Sequence, residues 1–566
     1  MYSRRSFLEA TALAGASGTL FPGILYATTK DLAEITVADI QVAEKLAGIE
    51  FTPAEREMML QNLERNRKSY QSLHALKLEN SVIPSLVFSP QVGGTKAAEL
   101  ASKPISKWVP ESIPTPANDD DLAFKSVPEL ASLLKNRQIT SVALTQLYLS
   151  RLKKYDSVLH AVVTYTEDRA LRQAKAADEE MDAGHWRGPL HGIPWGAKDL
   201  LAVKGYPTTW GAMPYKDQVF DYDAEVVKRL DAAGAVLVAK LTLGALAMGD
   251  VWFGGKTRNP WNLDQGSSGS SAGPGSAVAA GLVGFAIGSE TLGSIVSPAT
   301  RNGVTGLRPT FGRVSRSGAM TLSWSMDKLG PMARSAACCA LIFEAIHGAE
   351  SSDPTTVTTS FQWPPSKSPL DLQVGYLKSD FEKEYANREA DKAVLDQLRK
   401  AGVQLREAAL PDAETGPMLL MLSAEAAAAF EDLTLSKKVN ELVSQSEGSW
   451  PNSFRANRFI PAVDYINASR ARTKLMGQMN DLFKDFDVIV TPTFSGDTLR
   501  ITNLTGHPSI TIPNAFRPLD DSLVAARKQP DSITIIGPLY ADEAVLSVAD
   551  LIQKRTNWHL LRPLIA

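Results

Sequence analysis

Residues 266–276 read Gly-Ser-Ser-Gly-Ser-Ser-Ala-Gly-Pro-Gly-Ser. Ordering glycine costs more backbone entropy than ordering any other residue. A run this dense is therefore either left loose or ordered for a purpose. A flexible linker is the bland reading. It fails because a small-residue helix to Gly281 and an apolar strand from Leu282 to Ile287 follow directly, whereas a linker is not followed at once by a core strand. A phosphate-binding loop fails for want of the Gly-Lys-Ser/Thr ending. Nucleophilic catalysis remains, since glycines let backbone N–H groups approach a substrate and a serine among them can attack it. A second such segment, Gly288-Ser289-Glu290-Thr291-Leu292-Gly293-Ser294, closes the expected strand.

A serine nucleophile needs a base. The chain has 7 histidines, and Gly269-Ser270-Ser271-Ala272-Gly273 fits the G-x-S-x-G elbow of a Ser-His-Asp α/β-hydrolase, with Ser271 as nucleophile. That elbow needs a strand before the serine, and Asn259-Pro260-Trp261-Asn262 and a glycine run predict none there. Lysine is the other base, once burial lowers its pKa from ~10.4. Lys198, in Gly192-Ile193-Pro194-Trp195-Gly196-Ala197-Lys198-Asp199-Leu200, follows an apolar, glycine-bracketed segment that predicts burial. The competing reading pairs Lys198 with Asp199 in a turn. Ser150 and Lys153 also match a Ser-x-x-Lys pattern, but on an amphipathic helix beside Lys154, which reads as solvated surface.

The Gly-Ile-Pro-x-x-x-Lys-Asp segment, the Gly-Ser-Ser segment some seventy residues later and the Gly-Ser-Ile segment after that resemble the amidase signature family. The resemblance continues through Gly303–Gly318 and Asp327–Ser335, returns in Asn503–Pro508 and at Ile536-Gly537, and covers about 122–566. It implies an α/β fold, a central mixed β-sheet between helical layers, and amide hydrolysis by a Ser–cis-Ser–Lys triad with no metal or organic cofactor. The nucleophile corresponds to Ser294, the relay serine, 24 positions earlier, to Ser270, and the base to Lys198. Ser267 and Ser268 are left as turn residues. The N–H groups of Thr291, Leu292, Gly293 and Ser294 correspond to the oxyanion hole, and Met248 and Gly249 to a segment lining the acyl pocket. Three residues depart from the family pattern. Leu292 replaces a glycine and is expected to narrow the pocket, Ala272 replaces a glycine, and Val296 replaces an arginine, which favours an apolar or aryl-bearing acyl group. Two rival functions stay open: one subunit of a glutamine amidotransferase that works on misacylated tRNA, and the histidine-based hydrolase.

Composition narrows the partners. Lys plus Arg is 59 and Asp plus Glu is 62, for a net charge of −3, so no overall basic field draws nucleic acid. The only cysteines, Cys338 and Cys339, are adjacent and give no disulfide framework. The expected partner is a small-molecule amide. No stretch besides the N-terminal one approaches the ~20 apolar residues of a membrane span.

Four regions are expected. Residues 1–27, with Ser3-Arg4-Arg5-x-Phe7-Leu8 before an apolar run, resemble a twin-arginine export signal and imply a periplasmic protein. Residues 31–95 read as a helical extension, 96–121 as a proline-rich linker and 122–566 as the catalytic domain. The extension has two uses open to it, packing on the core or forming a homodimer. If export runs through the arginine pair, the double variant Arg4→Lys, Arg5→Lys abolishes periplasmic yield on fractionation; an unchanged yield means another route or none.

Overall fold

The computed structural model describes residues 34–76, 86, 108–519 and 527–565. The expected export signal and most of 77–107 lie outside the described residues. One mixed sheet organises the rest. Its strands are β1 (Val162–Tyr165), β2 (Pro194–Lys198), β3 (Val236–Leu241), β4 (Phe285–Glu290), β5 (Thr305–Arg308), β6 (Lys328–Ala333), β7 (Val374–Leu377), β8 (Leu405–Ala408), β9 (Val488–Pro492), β10 (Ser509–Pro518) and β11 (Lys528–Ile536). Across the sheet they run β1-β3-β2-β4-β6-β5-β10-β11-β9-β7-β8. The β3-β2-β4 centre is parallel. Both flanks of that trio turn antiparallel, and the far edge, β9-β7-β8, is parallel again.

Side chains of successive strand residues point to opposite faces, and the sheet is apolar on both. Leu237, Phe285 and Ile287 join one cluster with Trp195, while Val236, Val238 and Ala286 join another with Met332. Trp195 stacks on Phe285 across β2 and β4, ring centroids 6.0 Å apart. This packing fixes the register in which Ala197 lies beside Ile287. Lys198 and Glu290 are the last residues of parallel neighbours. Both therefore emerge at the carboxyl edge, where open α/β sheets bind ligands.

The helices that concern the site are α1 (Val37–Ala47), α2 (Pro53–Ala75), α3 (Ala272–Ala279), α4 (Val296–Asn302), α5 (Leu420–Ala429), α6 (Trp450–Asn457), α7 (Ala462–Leu482) and α8 (Thr498–Thr505). Three local outcomes differ from the sequence reading. The strand expected over 282–287 runs 285–290, because the chain must turn out of α3 through Gly281, at φ 63°, before it can extend. That shift carries Ser289 and Glu290 into the strand end. The helical stretch read from 31 breaks at Gly48, φ 66°, and α2 follows with Thr52 as its N-cap, the helix start that Thr52-Pro53-Ala54-Glu55 predicts; the Thr52 N–H donates to the Glu55 carboxylate at 2.7 Å. The acidic end of the expected linker belongs to a short helix, Asp119–Ala123, with Asn118 as its N-cap. Negative side chains suit that first turn.

The helical extension packs on the domain rather than standing apart from it. Ile40, Met59 and Leu63 share a cluster with Ala456. Arg455 of α6 forms an ion pair with Glu55 of α2 at 2.8 Å, both side chains largely buried.

Candidate active site

Lys198 is fully buried, and hydroxyls surround it. Its ammonium nitrogen lies 2.9 Å from Ser270 Oγ, 3.0 Å from Ser271 Oγ and 2.8 Å from Ser289 Oγ, with the Ser289 carbonyl oxygen at 3.4 Å. An ammonium has only three protons to donate, so neutral dipoles alone fill its coordination. Burial accordingly pushes its pKa well below the ordinary lysine value, against the opposing pull of the Asp327 and Glu290 charges. The alternative Lys198–Asp199 pair does not form. The two residues point to opposite sides, as neighbours at a strand end do, and Asp199 instead pairs with Lys240 at 2.8 Å and accepts the Thr209 N–H at 2.9 Å.

The Gly269–Ser270 peptide bond is cis. Gly269 has no room for a side chain, since a Cβ would stand 1.8 Å from the Gly249 carbonyl oxygen. The Met248-Gly249 turn is thereby brought against Ser270. Ser294 sits at the mouth of the strand end, half-buried, and its carbonyl accepts the Ser271 N–H at 3.1 Å. The structure thus gathers Lys198, Ser270, Ser294, Met248 and Gly249 at one place. The loop from Thr291 to Ser294 turns through Gly293 at φ 93°. The N–H groups of Leu292, Gly293 and Ser294 donate to no protein acceptor among the described residues.

Two carboxylates set this loop, and neither stood out in the sequence. Glu290 accepts the N–H groups of Ile295 and Val296 at 2.8 and 3.0 Å through one oxygen. Its other oxygen accepts from Arg308 and Asn503, each at 2.8 Å. Despite complete burial, the Arg308 charge and these bonds bring its pKa down to about 2. Asp327 accepts the Thr291 hydroxyl at 2.6 Å and the Leu322 and Ser323 N–H groups at 2.8 and 2.9 Å. Ser271 and Ser289, which complete the lysine's surroundings, were legible only as serines in a Gly/Ser segment.

A cavity of about 430 Å³ adjoins this centre through Ser289 and Thr291. Leu200, Met320, Leu322 and Trp324 give it an apolar wall, and Thr291 rather than Leu292 lines it. Val296, the position of the missing arginine, is buried at 2% exposure under the loop.

The elbow alternative does not hold. A short strand, Asn262–Gly266, does precede the serines, contrary to the sequence reading, but it pairs only with Arg258–Asn259 and lies outside the central sheet. Ser271 is fully buried, its hydroxyl accepting the Ser289 N–H and donating to the Ser289 carbonyl, both at 3.1 Å. His507 bonds Thr505 and stacks on Phe483 instead. Ser267 and Ser268 are turn residues: Asn302 donates to the Ser267 carbonyl at 2.8 Å, and Asp250 accepts the Ser268 N–H at 2.9 Å. Lys153 is an exposed partner of Glu167.

A model of the amidase family matches residues 143–546. The chain is 32% identical over 489 residues to a glutamyl-tRNA(Gln) amidotransferase subunit from Methylococcus capsulatus, a match covering 78% of this chain and 98% of that one. Its fold superposes on the peptide amidase of Stenotrophomonas maltophilia with a TM-score of 0.65 and 28% identity, over 76% of this chain and 97% of the other. A bacterial aryl acylamidase of the amidase signature family gives a TM-score of 0.67 at 23% identity, over 78% and 99%, and shows the shared fold. The chain belongs to the amidase signature family. It is an enzyme, a hydrolase acting on amide C–N bonds.

The Glu290–Arg308 pair makes a measurable demand. Removing one partner of a buried pair typically costs ~3–5 kcal/mol, so Arg308→Met should lower urea-derived stability by about that much near neutral pH. Glu290 has its pKa depressed from 4.5 to about 2, so its contribution is present above its unfolded value and lost as pH falls through the folded one. The gap between wild type and Arg308→Met should therefore be widest above pH 4.5 and shrink toward pH 2.

Proposed function

We propose that the chain is a serine amidase in which Ser294 is the nucleophile, Ser270 the relay and Lys198 the base. The observation that carries this reading is the buried Lys198 nitrogen 2.9 Å from the Ser270 hydroxyl, with the Ser294 carbonyl bonded to the N–H of the next residue, Ser271. Lys198, its charged form disfavoured by burial, takes in its neutral form the Ser270 proton as Ser270 takes that of Ser294. Ser294 Oγ then bonds to the substrate carbonyl carbon, and the N–H groups of Thr291 to Ser294 receive the oxyanion. One such donor is worth on the order of 10²–10³ in rate. On collapse the C–N bond breaks and the proton returns through Ser270 to the leaving amine. Water cleaves the acyl-enzyme by the same route reversed. The sequence implies no cofactor for these steps.

The acyl group proposed is apolar and uncharged. Within the cavity wall Arg316 is already engaged by Asp353 at 3.0 and 3.2 Å and by the Trp324 carbonyl at 2.6 Å, and Asp327 is fully bonded. Ala247 is the residue of the neighbouring turn that lines this cavity; the place of Met248 and Gly249 in the acyl pocket rests on the family resemblance. A second reading, one subunit of an amidotransferase that works on misacylated tRNA, is supported by the name of the relatives at 32% identity. The net charge of −3 and the twin-arginine pattern support a chain that is exported to the periplasm and works alone on a small amide. No membrane-crossing helix is found among the described residues. A homodimer is not needed to complete the site. Amide hydrolysis by the purified chain separates the two readings.

Labelling tests the assignment residue by residue. A fluorophosphonate should modify Ser294 alone, as read by peptide mass spectrometry. Ser294→Ala should abolish the label, Ser270→Ala slow it strongly without moving it, and Ser271→Ala leave most of it. Label on Ser271 would overturn the proposal. The pH profile tests the base. Because the neutral lysine is the active form and burial lowers its pKa, kcat should rise with pH through that lowered pKa and then level off. A kcat with no rising limb anywhere in the pH range over which the protein stays folded, with chemistry rate-limiting, would count against Lys198.

A further inference from the structure

The cavity wall formed by Met320, Leu322, Trp324 and Asp327 belongs to a segment with no helix or strand from 320 to 326. Side chains from the helical layer hold it. Glu425 of α5 accepts the Ser323 hydroxyl at 2.5 Å and the Ser325 N–H at 3.0 Å, and Tyr465 of α7 donates to the same carboxylate at 2.9 Å. Arg472 of α7 donates to the Ser325 hydroxyl at 3.0 Å. The opposite wall hangs from the same layer. Ala247 lines the cavity, and Trp450 of α6 donates to the carbonyl of its neighbour Leu246 at 3.0 Å. Leu246 and Ala247 both have positive φ, 52° and 62°, so this turn depends on outside support.

Helix α2 lies on that layer. Its Glu55 pairs with Arg455 of α6, its Met58 carbonyl accepts from Asn452 at 2.8 Å, and Asn66 donates to Asn457 at 3.1 Å. Near its far end Leu73, 2% exposed, enters one apolar cluster with Met326, Met421, Ala468 and Leu475. Met326 is fully buried there and immediately precedes Asp327, whose carboxylate bonds Thr291 of the expected oxyanion loop. The family match begins only at residue 143, so α1 and α2 lie outside it. A relative is covered over 98% of its length by 78% of this chain. The brace is thus an addition to the shared domain.

Resting on the amidase reading above, we propose that the N-terminal helices determine acyl specificity: through Leu73 and Glu55, α2 holds both cavity walls at the width that accepts a bulky, uncharged acyl group. Neither residue touches the reacting atoms; both act by positioning the 320–327 segment and the 245–249 turn. Loosening the brace lets the walls relax. Apolar contact with a large acyl group is then lost, whereas a small acyl group never made that contact.

The test compares full-length wild type with Leu73→Ala, Glu55→Gln and the surface control Leu46→Ala, whose side chain is 81% exposed. The substrates are p-nitroanilides running from acetyl to decanoyl and benzoyl, and Ser294 labelling by a fluorophosphonate is measured alongside. Leu73→Ala and Glu55→Gln should each change the ratio of kcat/KM between the largest and smallest accepted acyl groups by about fivefold or more. That compares with the ~10-fold or greater value of one methylene in an apolar pocket. The change should lie in KM, with the labelling rate kept within about twofold and Leu46→Ala like wild type. An unchanged ratio in both variants would overturn the proposal. So would a loss equal across the panel and matched by lost labelling, because that marks general destabilisation. Wild type that takes no label at Ser294 would mean that the amidase reading itself has failed, whereas label with an unchanged ratio would mean that only the brace has.

Discussion

A lysine buried without a carboxylate partner is the constraint around which this site is organised. Lys198 is enclosed by three serine hydroxyls and one carbonyl. Its charged form is disfavoured by burial, and its neutral form can accept a proton from one of those hydroxyls. Had Asp199 turned toward it, the pair would have held the ammonium charged. The pleat of β2 sends Asp199 the other way, and Lys240, on the neighbouring strand, occupies it. One lysine is thereby left among hydroxyls and the other is paired with a carboxylate.

The remaining parts of the site are hung from the same sheet edge. Two parallel strands end together, so the lysine and the Gly/Ser loop after β4 meet there. The loop is then shaped by anions beneath it. Glu290 fixes the N–H groups of residues 295 and 296, and Asp327 fixes the Thr291 side chain. A buried pair such as Glu290–Arg308 is weak evidence of stability in itself, because desolvation offsets much of the attraction. Its evident use here is geometric, since it fixes the Ile295 and Val296 N–H groups and leaves those of Leu292, Gly293 and Ser294 without a protein acceptor among the described residues. Asp327 has a second use. It bonds both the loop and the wall of the cavity, so the wall and the expected oxyanion donors share one support.

The helical layer adds a further level. Wall segments without regular structure are held by Glu425, Tyr465 and Arg472, and the N-terminal helices lie over the elements that carry these residues. A shared catalytic sheet edge combined with an added outer layer is a physical route by which one chemistry acquires different substrate preferences. Lys198 ends a rigid strand, while the wall of the adjoining cavity sits on segments whose position depends on distant packing.

The chain order of residue types already determined a good deal. The spacing of Lys198, Ser270 and Ser294, the small-residue helix after the Gly/Ser segment and the helix start at Thr52 could all be read from neighbours in sequence, because helix caps and motif spacing are local properties. The family followed from those motifs. Tertiary structure alone decided the partners. That Lys198 is ringed by Ser271 and Ser289 depends on strand register, and that Asp199 goes to Lys240 depends on which way the pleat faces. That Glu290 meets Arg308 and Asn503, 18 and 213 residues away, depends on sheet order. The shift of β4 to 285–290 came from the turn at Gly281, which the hydropathy of 282–287 did not reveal. Whether the N-terminal helices packed inward or stood free was likewise undecided by their own amphipathic pattern, since a helix face shows that it must be covered and not by what.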